Sequence, residues 1–281
     1  MSLGPHKFPQ EVFLAFAGPV GSNMAGAIDK FKRELKAYDF EPVEIHITNG
    51  LSTYFNDIPS TFSGHKERYD TLIGAANKLR RLTKKPDVMT YLALSAISEK
   101  RKEIIARDNP SKIAYLIRQI KRPEEIIAFR NVYNRSFYTI SLYSDRDVRL
   151  ERTVSEIKKK SRGRIENDKA HSEAEDLLRT DEFQEEENLG QNLRSAFPLA
   201  DVFIDTTQND DVGTQVERFC KILFGANDQS PTRDEYGMYM AKSASLRSLD
   251  LSRQVGAAIF SERTEIKTLG CNEVPSARGG T

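Results

Sequence analysis

The chain has 281 residues, 38% of them apolar and 30% charged, and its formal net charge is +1. This composition is that of a globular protein with a sizeable core, and the near-neutral charge excludes a chain-wide field for nucleic acid or membrane surfaces. No apolar run approaches the roughly 20 residues of a membrane span, the first residues have no signal-peptide pattern, and two cysteines cannot build a disulfide framework, so we expect a soluble, cytoplasmic protein.

Short apolar runs alternate with amphipathic stretches over the first 225 residues. Strands are predicted at 12–17, 43–47, 113–117, 137–142 and 202–204, and helices at 24–38, 65–84, 87–107, after Pro123 and at 212–223. Strands that alternate with helices predict an α/β fold with a doubly wound, mostly parallel sheet. Ligands of such sheets bind at the carboxyl ends of the strands, which directs attention to the turn after Ala17.

The turn after the first predicted strand reads GPVGSNMA from residue 18 to residue 25. It resembles the phosphate-binding loop (P-loop) of nucleoside and nucleotide kinases, in which glycines let backbone N–H groups point at phosphates at a helix N-terminus. By that resemblance the predicted nucleotide-binding residues are Gly18, Gly21, Ser22 and Asn23. An ordinary strand-to-helix turn, capped by Ser22 or Asn23, is the alternative.

The same turn lacks the side chains that transfer phosphate. Met24 stands where the kinase loop has its lysine, and Ala25 stands where the loop has the hydroxyl that holds Mg²⁺. The resemblance therefore implies that backbone binding of phosphate survives and that kinase chemistry does not. A nucleotide is the expected ligand of this loop.

A long charged stretch follows the fourth predicted strand. Arg146 and Arg149 open it, and residues 152–188 hold few apolar anchors. Its place in the chain is similar to that of the arginine-bearing lid of nucleotide kinases, and a helical hairpin of mixed charge is the alternative. We therefore predict a P-loop nucleotide-kinase-like domain over residues 10–225.

A second domain is predicted after a linker at 226–234, because residues 225–234 include Gly, Asn, Asp, Ser and Pro. A helix with small residues at Ala241, Ala244, Ser245 and Ser248 precedes predicted strands at 255–260 and 266–270. The run from 246 to 281, with its Gly-x-Asn-x-x-Pro turn, resembles the opening of a zinc-dependent deoxycytidylate deaminase domain. That family has a three-layer α/β/α fold, so residues 235–281 are predicted to be the first part of one.

A degenerate P-loop domain followed by such a segment resembles the bacterial anti-phage dCTP deaminases. The resemblance implies hydrolytic conversion of dCTP or dCMP to deoxyuridine nucleotides, with the kinase-like part as the regulatory, nucleotide-sensing module. It implies that Asn272 contacts the deoxyribose, and that Glu273 and Arg253 are weaker candidates for substrate contact. A homo-oligomer, a regulatory RNA and a protein inhibitor stay open as partners.

The zinc motif of that family, His-x-Glu followed by Pro-Cys-x-x-Cys, is not completed within the 281 residues. His171-Ser172-Glu173 matches the first half by letters but lies in the charged, lid-like stretch, and Cys271 has no Cys-x-x-Cys partner. We therefore predict no catalytic or metal-binding residue in this chain, zinc ligands beyond residue 281, and no deaminase activity of the chain alone. Whether Thr281 is the natural C-terminus is left open.

Two other function classes remain as alternatives. An active nucleotide kinase is disfavoured by Met24 and Ala25. A regulatory module without catalysis, which binds nucleotide, RNA or another subunit, is the other alternative to the deaminase interpretation.

Overall fold

The computed structural model describes residues 10–62, 64–107, 112–161, 164–183 and 190–272, including the side chains of these residues except 182 and 183. The chain divides into two compact units, Met1–Cys220 and Lys221–Thr281. In the described part of the chain, each helix is too short or too polar to cross a membrane.

The first unit is built on a five-stranded parallel sheet. Its strands are β1 (Glu11–Ala17), β2 (Phe40–His46), β3 (Lys112–Ile120), β4 (Phe137–Tyr143) and β5 (Val202–Asp205). They lie in the order β2-β3-β1-β4-β5, and each neighbouring pair is parallel. The predicted α/β fold with a parallel sheet is therefore confirmed.

Helices connect these strands. They are α1 (Met24–Ala37), α2 (His65–Thr83), α3 (Val88–Ile105), α4 (Pro123–Tyr133), α5 (Arg146–Lys160), α6 (Asn167–Phe183), the short α7 (Leu193–Ala196) and α8 (Asn209–Leu223). The predicted strand at 43–47 begins earlier, at Phe40, and ends at His46, because Ile47 opens a 3-10 turn that runs to Thr53. Its seven residues pair with β3.

The central strand β1 is apolar on both faces because both faces are covered. Six of its seven residues are buried, and it pairs with β3 on one side and with β4 on the other. On one face, the Phe16 ring meets the Phe31 ring of α1 edge-on, with 5.2 Å between centroids. On the other, the Phe13 ring stacks on the Tyr115 ring at 5.0 Å. The sheet thus holds the turn after Ala17 on a rigid support.

Helices α5 and α6 form the predicted helical hairpin and pack on the loop after β1. Their buried cluster consists of Val20, Leu150, Ile157, Ala170, Ala174, Leu177 and Leu178. The sequence shows few large apolar residues here because two anchors are alanines four residues apart, on one face of α6. The hairpin is therefore a packed part of the first unit.

The second unit contains helix α9 (Arg233–Ser245) and the strands β6 (Gly256–Phe260) and β7 (Ile266–Cys271), which pair in antiparallel fashion. Thr232 and Glu235 form a capping box at the start of α9. Gly256 is required where β6 meets the helix, because a Cβ there would overlap the carbonyl oxygen of Ala241. The small residues of α9 thus allow close packing, as predicted, whereas a three-layer deaminase domain is not shown.

Candidate phosphate-binding site

The turn between β1 and α1 contains two left-handed positions, two residues apart. Gly21 has φ +81°, and a Cβ there would overlap the backbone carbonyl of Arg149, so only glycine fits. Asn23 is left-handed, with φ +37°, and its Oδ1 accepts a hydrogen bond of 3.2 Å from the backbone N–H of Gly26. The capping role considered for Asn23 is thus present, and the N-terminus of α1 opens at the loop.

The four loop residues predicted from the sequence line one cavity of about 160 Å³. Gly18, Gly21, Ser22 and Asn23 form one wall together with Met24 and Ala25. The opposite walls come from α2, β3 and α5 and contribute the side chains of His65, Arg68, Tyr69, Arg118, Gln119, Glu156 and Lys160.

Three of these wall residues are cations that sequence reasoning missed. Arg68, Arg118 and Lys160 belong to three different elements and stand far apart in the chain. No local pattern singles them out, because Arg68 and Arg118 are isolated basic residues and Lys160 ends a run of three lysines that is typical of a solvated helix face. Only the fold brings them together opposite the loop.

The cations outnumber the carboxylates of this cavity. Lys160 Nζ lies 2.7 Å from His65 Nδ1, and Glu156 is the single carboxylate among the lining residues. Arg118 Nη1 is already paired with Glu44 Oε1 at 2.6 Å, so Arg68 and Lys160 contribute most of the positive charge. Burial, followed by the charges of Lys160 and Arg68, lowers the pKa of His65 to about 4. At neutral pH the imidazole is therefore uncharged and accepts a hydrogen bond from the Lys160 ammonium. The cavity favours an anion.

Asp181, a buried carboxylate on α6, holds the loop in place through hydrogen bonds. Val20 N–H donates to Asp181 Oδ2 at 2.8 Å, and Lys121 Nζ lies 2.7 Å from Asp181 Oδ1. Lys121 also donates to the carbonyl of Gly18 at 3.2 Å. The Asp181 side chain is only 1% exposed, so water does not weaken these bonds. Asp181 of the hairpin thus bonds to Val20 of the loop directly and to Gly18 of the loop through Lys121.

The two arginines that the lid resemblance singled out do not line the loop cavity. Arg146 pairs with Glu175 at 2.8 Å on the surface of the hairpin. Arg149 is buried, and its Nη1 lies 3.5 Å from the carbonyl oxygen of Val20. The cations that line the cavity are Arg68, Arg118 and Lys160 instead.

His65 gives the site a testable pH dependence. The unfolded chain protonates this imidazole near pH 6.5 and the folded chain near pH 4, so between these values the unfolded state binds more protons. Its contribution to stability is complete above about pH 6.5 and is lost as the pH falls towards 4. We expect His65→Gln to reduce the loss of stability between about pH 7 and about pH 5, measured by urea unfolding.

His171→Gln is the matched control, because that side chain is exposed on α6. The control is expected to unfold with the pH profile of the wild-type chain. An identical pH profile for the wild type and His65→Gln would contradict the assignment.

The residues predicted to contact substrate in the second unit belong to a turn at its surface. Asn272 Oδ1 accepts from Val255 N–H at 2.7 Å, and its Nδ2 donates to Asp250 Oδ2 at 3.0 Å and to the Arg253 carbonyl at 2.8 Å. Only the second lone pair of Oδ1 stays available for a sugar hydroxyl. The Arg253 side chain is exposed, and Glu273 lies outside the described residues.

The described residues do not fit a zinc ion. Over the ranges that the structure describes, no group of three or more His, Cys, Asp or Glu side chains could hold a metal. His171 and Glu173 lie on α6 of the first unit, whereas Cys271 ends β7 of the second.

No protein-family model and no curated protein matches this chain. Similar solved structures include shikimate kinase from Bacteroides thetaiotaomicron, with a TM-score of 0.40 and 14% identity over 76% of this chain and 98% of that chain. Shikimate kinase from Acinetobacter baumannii in complex with shikimate gives a TM-score of 0.38 and 13% identity over 79% and 97%. Values this low carry no argument on chemistry.

The parallel sheet, its strand order and the loop after β1 give the first unit a P-loop kinase-like fold. The site's function is therefore argued from its own side chains. The deaminase resemblance of the second unit stays a prediction.

Proposed function

We propose that the first unit binds the phosphate groups of a nucleotide without transferring them. The observation that carries this proposal is the cavity in which the Gly18–Ala25 loop faces Arg68, Arg118 and Lys160. Backbone N–H groups at a helix N-terminus and basic side chains opposite them are the two elements that hold a polyphosphate.

The chemistry of the loop favours binding over transfer. A kinase loop needs a lysine that bridges the terminal phosphates and a hydroxyl that holds Mg²⁺, and this loop offers Met24 and Ala25. Lys160 supplies a positive charge from the hairpin, yet nothing in the lining places a hydroxyl at the start of α1. A sensing module, which binds a nucleotide and responds to it, fits this arrangement.

Lys160→Met is expected to weaken the binding of tripolyphosphate and ATP about tenfold, because a charge-assisted hydrogen bond contributes roughly 1.5–3 kcal/mol. Isothermal titration calorimetry at low salt measures the effect, and binding of the wild type should weaken as salt is added. Lys159→Met is the matched control, since Lys159 is the preceding residue on the same helix and does not line the cavity.

Equal affinities of the two variants would show that Lys160 does not contribute to polyphosphate binding. Failure of the wild type to bind either polyphosphate at millimolar concentration would overturn the proposed function. Transfer of the ATP γ-phosphate to a nucleoside or nucleotide would overturn the non-transferring role and restore the kinase alternative.

We also propose that the second unit is the opening segment of a deoxycytidylate-deaminase-type domain. Its helix–strand–strand order and the position of Asn272 directly after β7 support this interpretation. The proposed activity is deamination of dCTP or dCMP by a polypeptide that supplies zinc ligands from outside the described residues, with the first unit as its regulator. Depletion of deoxycytidine nucleotides would then limit phage replication.

The test is the intact mass of the native product in its source cells, combined with an assay for ammonia release from dCTP and dCMP. A product that extends through a zinc motif and deaminates either nucleotide would support the proposal. A native product that ends at Thr281, or a longer one without deaminase activity, would overturn it and leave a binding module. We expect the 281-residue chain alone to release no ammonia.

A further inference from the structure

A cavity of about 420 Å³ lies on the other side of β1 from the loop cavity. The loop cavity is lined from β3 by Arg118 and Gln119, whereas this one, the β4 cavity, is lined from β4 by Leu142 and Tyr143. In the sheet, β3 and β4 flank β1 on its two sides. The two cavities therefore lie at the two crevices beside the carboxyl end of β1.

The topology of the sheet explains why the crevice between β1 and β4 is open. From β1 the chain crosses to β2 at one edge of the sheet, whereas from β4 it continues to β5 at the opposite edge. Because these connections leave the two carboxyl ends in opposite directions, a crevice forms between them, and parallel α/β sheets bind ligands in such crevices. The volume of the β4 cavity is within the range of about 300–1,000 Å³ that is typical of small-molecule sites.

Hydrogen bonds hold both walls of the β4 cavity in place. On the side of α7, the Asn192 N–H donates to the Lys121 carbonyl at 2.9 Å. The Ser141 hydroxyl donates to the Phe197 carbonyl at 3.0 Å and fixes the turn after α7. On the side of the hairpin, Asp181 is held by its bonds to Lys121 and to the loop. The cavity is therefore formed by the fold itself and does not depend on a ligand for its shape.

Apolar side chains make up most of the wall of the β4 cavity. They are those of Pro19, Leu142, Leu193, Phe197 and Pro198. Leu142 and Leu193 are buried and Pro198 is exposed, so the cavity extends from the surface to the end of β4. The rings of Phe197 and of the two prolines offer flat apolar faces, which suit the flat face of an aromatic ring.

The charged side chains of the β4 cavity favour an anion. Arg149 and Arg194 contribute two cations, and Asp181 is the single carboxylate among the lining residues that the structure describes. The charge of Asp181 is already balanced by Lys121, whose Nζ lies 2.7 Å away. A guanidinium binds a carboxylate or a phosphate through two parallel hydrogen bonds and also stacks on aromatic rings. The wall thus complements an aromatic ring that carries such a group.

We propose that the β4 cavity binds a small aromatic compound that carries one carboxylate or phosphate group. The ring lies against Phe197 and Pro198, and the anionic group binds at Arg194. Among the described lining residues, Pro19 alone is common to the β4 cavity and the loop cavity, so this site is distinct from the proposed phosphate site and does not rest on it.

Calorimetric titration with matched ligands tests the chemistry of the site. Benzoate represents the aromatic carboxylates, and AMP and CMP represent the aromatic phosphates. The uncharged counterparts are benzamide, adenosine and cytidine, and the anions without an aromatic ring are cyclohexanecarboxylate and ribose 5-phosphate. We expect benzoate or one of the two nucleotides to bind at least tenfold more tightly than its counterparts of both kinds, because these lack either the contacts with arginine or the stacking on the wall.

A tryptophan reporter tests where these compounds bind, because the chain contains no tryptophan of its own. Tyr143→Trp changes a lining residue that is 49% exposed. Tyr91→Trp is the matched control, since Tyr91 is also 49% exposed and lies on α3 outside the cavity. The ligand that binds most tightly should change the tryptophan emission of Tyr143→Trp in a saturable manner and leave that of Tyr91→Trp unchanged.

Two substitutions separate this site from the phosphate site. Arg194→Met should weaken the tightest aromatic anion about tenfold and leave tripolyphosphate unchanged. Lys160→Met should show the opposite pattern, because Lys160 lines the loop cavity and not the β4 cavity. Arg194 is exposed, so its substitution should change the melting temperature little.

The outcomes distinguish the two proposals. No saturable binding of the aromatic anions at millimolar concentration, or affinities equal to those of their counterparts, would overturn the β4 cavity as a site and leave the phosphate site standing. Weakening of the aromatic anions by Lys160→Met but not by Arg194→Met would place them in the loop cavity and would also overturn it. A chain that binds an aromatic anion as expected and fails to bind tripolyphosphate would retain this site and lose the proposed function. Binding of benzoate alone identifies the ligand as a carboxylate, and binding of AMP or CMP alone identifies it as a phosphate.

Discussion

Asp181→Ala is expected to lower the free energy of unfolding by about 3–5 kcal/mol, because it leaves a buried ammonium without its counter-ion. Lys121 Nζ is 2.7 Å from this carboxylate, and the two side chains are 8% and 1% exposed. The substitution also removes the acceptor of the Val20 N–H, so the loop loses its link to α6. Urea unfolding followed by circular dichroism measures the change.

Asp176→Ala is the matched control for this prediction. Asp176 lies on the same helix and pairs with Lys66 at 3.0 Å, but both side chains are substantially exposed, at 46% and 40%. Its loss should change stability far less, since water and salt screen an exposed pair. Asp181→Asn should fall between the two, because an amide oxygen still accepts from Val20 but does not neutralise Lys121. Equal unfolding midpoints for Asp181→Ala and Asp176→Ala would refute the anchoring role.

Gly21→Ala is expected to abolish measurable polyphosphate binding and to destabilise the chain by roughly 1–3 kcal/mol. A methyl group at this position meets the backbone carbonyl of Arg149 while the residue is held at φ +81°, so the loop must move away from the phosphate-binding shape. Binding is measured by calorimetry with tripolyphosphate and stability by urea unfolding.

Gly74→Ala is the control, because a Cβ there finds open space and Gly74 lies inside α2. It should raise stability by about 0.5–1 kcal/mol and leave binding intact. If Gly21→Ala bound tripolyphosphate as the wild type does, the loop would not be the phosphate site, whatever its effect on stability.

The loop and the buried ion pair have different tasks in the first unit. The proposed phosphate site needs the loop backbone and the cations that line the same cavity. Asp181 and Lys121 hydrogen-bond to Val20 and Gly18 and are positioning residues. Substitutions in these two groups should therefore separate affinity for phosphate from stability of the fold.

Much of the fold was predictable from the sequence, because it rests on local patterns. The run Val12–Ala17 is apolar without alternation, which indicates a strand covered on both faces, and the glycines of the following turn indicate a tight backbone conformation. The amphipathic spacing of α1 and the Pro at the start of α4 likewise act within a few residues. Such local signals can be recognised in a single sequence.

The composition of the site was decided by tertiary structure. Lys160 ends a run of three lysines, and only the packing of the hairpin on Val20 brings it to the loop cavity. Arg146 and Arg149, which the lid resemblance singled out, do not line that cavity.

The sequence by itself determined the parallel α/β domain and the loop that lacks its lysine and hydroxyl, because strand pattern and turn chemistry are local. Only the tertiary structure decided that Arg68, Arg118 and Lys160 line one cavity with that loop and that Asp181 is buried against the loop. Electrostatics and burial depend on distances between residues far apart in the chain, and those distances exist only once the sheet has assembled.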